Sequence, residues 1–146
     1  MLDSFDVCDL VVEFVNTLTT APPFTAKVDV PRSANLEDLR GLEVYCLPTV
    51  IDTNNQSRAS SEDRFFVSLG FQRKLANTVP DITELRSLHA LVREVQEELE
   101  KVNFDITGGG CLEYVGVTLD PVFSSTHLLN NRVFTSVLNM EYRYLR

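Results

Sequence analysis

Val133-Phe134-Thr135-Ser136-Val137-Leu138-Asn139-Met140-Glu141-Tyr142-Arg143-Tyr144 is the stretch on which the fold turns. Phe134, Ser136, Leu138, Met140, Tyr142 and Tyr144 alternate with Val133, Thr135, Val137, Asn139, Glu141 and Arg143, so one face is mostly apolar and the other more polar. A period of two sustained over this many residues marks a strand lying on a core. The pattern runs nearly to Arg146, which predicts a fold closed by its last strand.

Upstream of it, Asp120-Pro121 and the polar segment Ser124 to Asn131 read as a helix-like link, and Cys111 to Leu119 as another strand. Gly108-Gly109-Gly110 reads as a flexible connection, preceded by the clearest helix of the chain. That helix opens on Pro80-Asp81-Ile82-Thr83-Glu84, an Asp cap with a Glu three residues on, in the manner of a capping box. Ile82, Leu85, Leu88, Val92, Val95, Leu99 and Val102 form its apolar stripe, with Glu84, Arg93, Glu94, Glu97, Glu98 and Lys101 off it.

Farther back, Leu42 to Val50 and Phe65 to Leu75 read as two strands that pair as a hairpin. The segment between them, Ile51 to Arg64, is polar after its first residue and far longer than the roughly two to five residues of an ordinary hairpin turn. Near the start, Asp3 caps a helix with Asp6 in its first turn, and Val7, Cys8, Val11, Phe14, Val15 and Leu18 recur at helical spacing until Ala21-Pro22-Pro23. Phe24, Ala26, Val28 and Val30 then alternate with Thr25, Lys27 and Asp29 as a short strand that Pro31 breaks. Asn35 caps a single turn, Leu36 to Arg40, which Gly41 ends in a left-handed conformation. The sum is an α+β fold, a mixed or antiparallel sheet of four or five strands packed with two main helices, in one domain spanning residues 1–146.

A chain of 146 residues at 44% hydrophobic can close a single core. Its net charge of -8 argues against a surface built to neutralise phosphates, so DNA would pass by without being gripped. The acidic N-terminal residues lack the basic and apolar regions of a signal peptide and no apolar run is long enough for a membrane span, which points to folding in a cytoplasm. Cys8, Cys46 and Cys111 are an odd number, far apart and among apolar neighbours, and read as buried reduced thiols.

Motifs for chemistry are absent. The glycine triplet follows a helix and has neither the Lys-Ser/Thr of a phosphate loop nor a helix start behind it. His89 and His127 lie in different elements without a triad arrangement, and His89 falls beside an apolar stripe as a partly buried structural residue. Asp105 with Glu113 is spaced loosely like a nuclease pair, but Val115 stands where such enzymes carry Lys. The run Glu94, Glu97, Glu98, Glu100 reads as a solvated helix face. The expectation is a protein that is not an enzyme and holds no cofactor and no metal.

Four stretches carry a likeness: Phe5-Asp6-Val7-Cys8-Asp9-Leu10; Pro31 with Leu36-Glu37-Asp38-Leu39; Gly70-Phe71-Gln72-Arg73-Lys74-Leu75; and Phe134-Thr135-Ser136-Val137-Leu138 with Tyr142-Arg143. In these, and in the order of its elements, the chain resembles the tail terminator (tail completion) proteins of tailed bacteriophages. The resemblance implies a virion structural protein that forms a ring, generally a hexamer, on the head-proximal end of the tail tube in the neck region, assembled in the host cytoplasm. It would end tube polymerisation and present a surface for head-tail joining. The implied partners are further copies of the chain, the tail tube protein and the head-completion or connector protein, with genomic DNA passing through the lumen unbound and no membrane involved. Contact elements would be Asp52 to Arg64 at the hairpin tip, the link Ser124 to Asn131 and the edge strands. The candidate interface residues are Asp52, Asn54, Asn55, Gln56, Arg58, Glu62, Arg64, Ser124, His127, Asn130 and Arg132. Another neck, head-tail joining or minor tail protein is the alternative, and a small metal-dependent hydrolase a more distant one.

Overall fold

Asp3 and Asp6 begin the molecule's order. In the computed structural model, which describes residues 2–20, 23–30, 41–49, 63–75, 82–119 and 133–145, each of these two carboxylates accepts the backbone N–H of the other residue, at 2.8 and 2.9 Å. This reciprocal capping box starts α1 (Ser4–Val15) by satisfying two amides that have no partner inside the helix. Val7, Cys8, Val11 and Val15 form its buried stripe.

Six strands follow in one sheet: β1 (Ala26–Val28), β2 (Leu42–Pro48), β3 (Asp63–Lys74), β4 (Phe104–Asp105), β5 (Cys111–Leu119) and β6 (Val133–Leu145), with α2 (Ile82–Glu100) between β3 and β4. The order across the sheet is β1-β2-β3-β6-β5-β4. Among the described residues only the β1–β2 pair is parallel, so the sheet is mixed and the fold is α+β. Among the described residues the strands number six against the expected four or five. The extra strand is β4, whose two residues are too few to show a period and which forms only because the glycine turn folds it back on β5.

β6 lies at the centre. It pairs with β3 from Val133 to Tyr144 and with β5 from Leu138 to Leu145. The register sets Phe65 opposite Tyr142, Val67 opposite Met140 and Leu69 opposite Leu138, all on the side that both helices cover. α1 lies over β1, β2 and β3, and α2 over β5 and β6. Phe14, Phe104, Tyr142 and Tyr114 form a chain of ring contacts at centroid distances of 6.0, 5.7 and 6.2 Å along this layer.

Several boundaries differ from the sequence reading. β1 covers three residues and not the run to Val30, because Asp29 Oδ1 takes the Val30 N–H at 2.7 Å and turns the chain. Val30 is left 69% exposed. α1 ends at Val15, since the side chain of its C-cap residue, Asn16, is drawn to the backbone of Ala26. β3 starts at Asp63, two residues inside the segment read as loop. On α2 the stripe holds at Leu88, Val92, Val95 and Leu99, while Ile82, in the first turn, is exposed. Gly41 has the expected left-handed backbone, φ 69°. The single turn before it, the capping Asp81 and the link after Asp120 lie outside the described residues. Among the described residues no helix is long and apolar enough to cross a membrane.

Candidate functional site

The sheet face turned away from the helices gathers the polar side chains. Here Arg64 stands opposite Arg143, Ser68 opposite Asn139 and Gln72 opposite Thr135. Two guanidinium groups directly across a ladder would repel. Each is instead matched to a carboxylate, Arg64 Nη1 to Glu141 Oε1 at 3.0 Å and Arg143 Nη2 to Glu113 Oε2 on β5 at 2.6 Å.

Next to these pairs runs a line of hydroxyl and amide groups. Ser68 Oγ donates to Asn139 Oδ1 at 2.8 Å and lies 2.5 Å from Thr49 Oγ1. A serine hydroxyl has one proton, so Thr49 is the donor in that second contact and the line runs Thr49 to Ser68 to Asn139. The Tyr45 hydroxyl donates to Glu43 on the same strand. At one end the face is closed over: Tyr45 is 3%, Gln72 1% and Val133 0% exposed. Lys27 lies above the Tyr45 ring, 5.1 Å from its centroid. The arrangement holds its charges in pairs and brings no base to a nucleophile. It is a hydrogen-bonded and ion-paired face, exposed around Arg64 and buried around Tyr45 and Gln72.

The carboxylates collect elsewhere. Leu2, Asp6, Asp9, Leu10, Glu13, Asp105, Ile106 and Thr107 line a cleft of about 320 Å³ between α1 and the turn after β4. Among the described residues no group of three or more His, Cys, Asp and Glu is placed to hold a metal ion. The Asp105 and Glu113 pair weighed from sequence is separated: Asp105 lines the cleft, whereas Glu113 is engaged by Arg143 on the far face.

The glycine triplet is a shaped turn rather than a flexible connection. Gly108, Gly109 and Gly110 all have positive φ, and a Cβ at Gly110 would stand 2.6 Å from the Leu145 carbonyl oxygen. Tyr144 closes the turn by donating to the Gly109 carbonyl at 2.9 Å. His89 is half-buried on α2 and its Nδ1 makes no hydrogen bond. Cys8 and Cys46 are buried and meet between α1 and β2; the hydrogen bond to Cys8, then burial, push the Cys46 thiol far above its ordinary range. Cys111, read as buried, is half-exposed because it lies at the outer end of β5.

Of the candidate interface residues, Arg64 belongs to β3 and faces Glu141 on the sheet. Asp52, Asn54, Asn55, Gln56, Arg58, Glu62, Ser124, His127, Asn130 and Arg132 lie outside the described residues. Two residues the sequence reading passed over govern the sheet margins. Asn16 Nδ2 donates to the Ala26 carbonyl at 3.1 Å and its Oδ1 accepts the Ala26 N–H at 2.7 Å. Asn103 Oδ1 accepts the Tyr114 N–H at 3.0 Å. Each asparagine lies at a helix exit, Asn16 as the C-cap of α1 and Asn103 shortly after α2. Asparagine at a helix exit is the available sequence signal, since its short amide can reach a neighbouring backbone. In comparisons with known proteins, no protein-family model and no curated sequence matches this chain.

Proposed function

We infer that this protein is a structural subunit of a bacteriophage neck, a tail terminator that forms a ring on the head-proximal end of the tail tube, ends tube growth and receives the head connector. The sequence likeness supplies the identity of the structure it would join. The observation that best supports it in the fold is the division of charge between the two layers. α1 carries Asp6, Asp9 and Glu13 and no cation, and α2 carries five glutamates against Arg86 and Arg93. The strands β3 and β6 hold cations, Arg64, Arg73, Lys74 and Arg143, and the far face pairs two of these with carboxylates. A ring around DNA needs surfaces of distinct character, with an acidic one on which DNA slides and a neutralised one on which proteins dock.

The same acidity sets the assembly regime. Like-charged subunits repel in solution, so the free protein is monomeric or weakly associated and the hexamer forms on a tube end that brings the copies together. Phage lacking the protein should produce tails that are over-long or fail to join heads, scored by electron microscopy of lysates. Deleting Asp52 to Glu62 should leave the fold intact and weaken ring closure or tube docking. Tails of normal length that still join heads in the absence of the protein reject the terminator role and transfer the weight to another neck or minor tail position.

A further inference from the structure

The three cysteines fall into two settings. Cys111 lies half-exposed at the outer end of β5, whereas Cys8 and Cys46 are both wholly buried, at 0% exposure. Cys8 belongs to the buried stripe of α1 and Cys46 to β2, one of the strands that α1 lies over, and both are part of one core cluster. Their side chains are hydrogen-bonded, so the two sulfurs are neighbours across the boundary between helix and sheet. Cys111 has no part in this contact, since β2 and β5 are three strand spacings apart, about 14 Å, beyond what a disulfide bridges. Burial shields the pair from oxidants in solution while α1 is seated. α1 is fixed by its buried stripe, the capping box of Asp3 and Asp6, and the Asn16 contact with Ala26. An element held by few contacts opens at lower cost than the whole fold.

We propose that Cys8 and Cys46 are a cross-linking site: when α1 lifts, a low-molecular-weight disulfide of the glutathione class oxidises the pair, and the resulting bond locks α1 onto β2. The Cys8 thiolate attacks one sulfur of that disulfide, forming a mixed disulfide and releasing one thiolate. As α1 reseats, the Cys46 thiolate attacks the Cys8 sulfur, the mixed bond breaks and a second thiolate leaves. The protons of the two cysteines end on the two released thiols, and two electrons pass from the cysteine sulfurs to the external disulfide. The close-packed core has no room for the adduct, which favours the second step over a lasting mixed disulfide. In reducing surroundings the pair stays as thiols, and transfer to oxidising ones closes it. The site is independent of the neck reading, because it concerns the interior of a single chain.

The test incubates the reduced full chain, carrying Cys111→Ser to remove the exposed thiol, with oxidised glutathione. Both remaining thiols should disappear together, with the loss of two hydrogens in the intact mass and no retained glutathione. Lys27 and Arg40 are tryptic sites between the two cysteines, so the peptide holding Cys8 should be found joined to the one holding Cys46. The urea midpoint of the oxidised chain should rise by roughly 1–2 M and return on reduction. Asp3→Ala, which removes the capping box, should speed closure roughly fivefold by easing the lifting of α1. Val95→Ala, which weakens the core under α2, should leave the rate unchanged, with near-ultraviolet circular dichroism verifying that both variants fold. Thiols that persist just below the unfolding transition, a lasting glutathione adduct, a bond between two chains or an unmoved midpoint overturns the proposal. Equal acceleration by Asp3→Ala and Val95→Ala also overturns it, because the pair would then react only from the unfolded chain.

Discussion

On the helix side of the sheet Leu69 lies against Leu138 and is wholly buried, whereas one residue away Ser68 faces the opposite side, against Asn139, and passes a hydrogen bond to it. The same two strands thus present two kinds of cohesion. Removing a leucine side chain from water contributes about 1.5–3 kcal/mol, while a hydrogen bond exchanged with water nets about 0.5–1.5 kcal/mol. The helix side therefore supplies most of the stability, and the exposed end of the far side, around Arg64 and Glu141, holds residues that can change at small cost to folding.

The strongest way to break the comparison is Leu69→Ala. It empties a site at 0% exposure between strands that cannot close up, and should cost about 2–5 kcal/mol in urea-unfolding measurements. A loss under about 1 kcal/mol would mean that the helix side is not the main source of stability.

A pH titration of stability sharpens the same contrast. Cys46 and Tyr142 both sit on the helix side and are both held protonated above their ordinary values of 9.0 and 10.0, Cys46 by its bond to Cys8 and then by burial, Tyr142 by burial first. The unfolded chain ionises these groups and the folded chain resists, so their stabilising effect is complete below about pH 9 and is lost as pH rises. Stability should be flat with respect to these groups up to about pH 9, then fall by about 1.4 kcal/mol per pH unit, and more steeply above about pH 10. Cys46→Ala should move the onset of the decline from about pH 9 to about pH 10, read from urea midpoints across that range. An onset unchanged by that substitution would assign the decline to other groups.

The smallest expected effect belongs to the far face. Arg64 is 47% exposed and its pair with Glu141 is reached by solvent, so Arg64→Ala should cost only about 0.2–1 kcal/mol. A penalty comparable to that of Leu69→Ala would erase the distinction between the two faces.

Much of this division was legible in the chain. The alternation from Val133 to Tyr144 gives the strand, and Asp3 with Asp6 announces the first helix. The hairpin pairing of β2 with β3 also follows from two apolar periods joined by a polar segment. What escaped the reading depends on contacts distant in sequence. β4 exists through its pairing with β5, and the shortening of α1 and β1 reflects side chains, Asn16 and Asp29, that bond backbone instead of extending an element. The far-face line from Thr49 to Asn139 was equally hidden, since polar residues on alternate positions predict exposure without predicting partners. Of the candidate interface residues, sequence placed Arg64 in a loop, where its polarity suggested it, and pairing with Arg143 across the ladder places it in a strand.

The central position of β6 bears on how the protein is made. Synthesis delivers β3, α2, β4 and β5 before the strand that both β3 and β5 must pair with. Until then Phe65, Val67 and Leu69 on one strand, and Tyr114 and Val117 on another, have no shared partner to lie against. The nascent chain can complete its first helix and its β2–β3 hairpin, but the two halves of the sheet join only in a late step between segments far apart in sequence. Folding is thereby ordered in time, with the seam of the molecule sewn last.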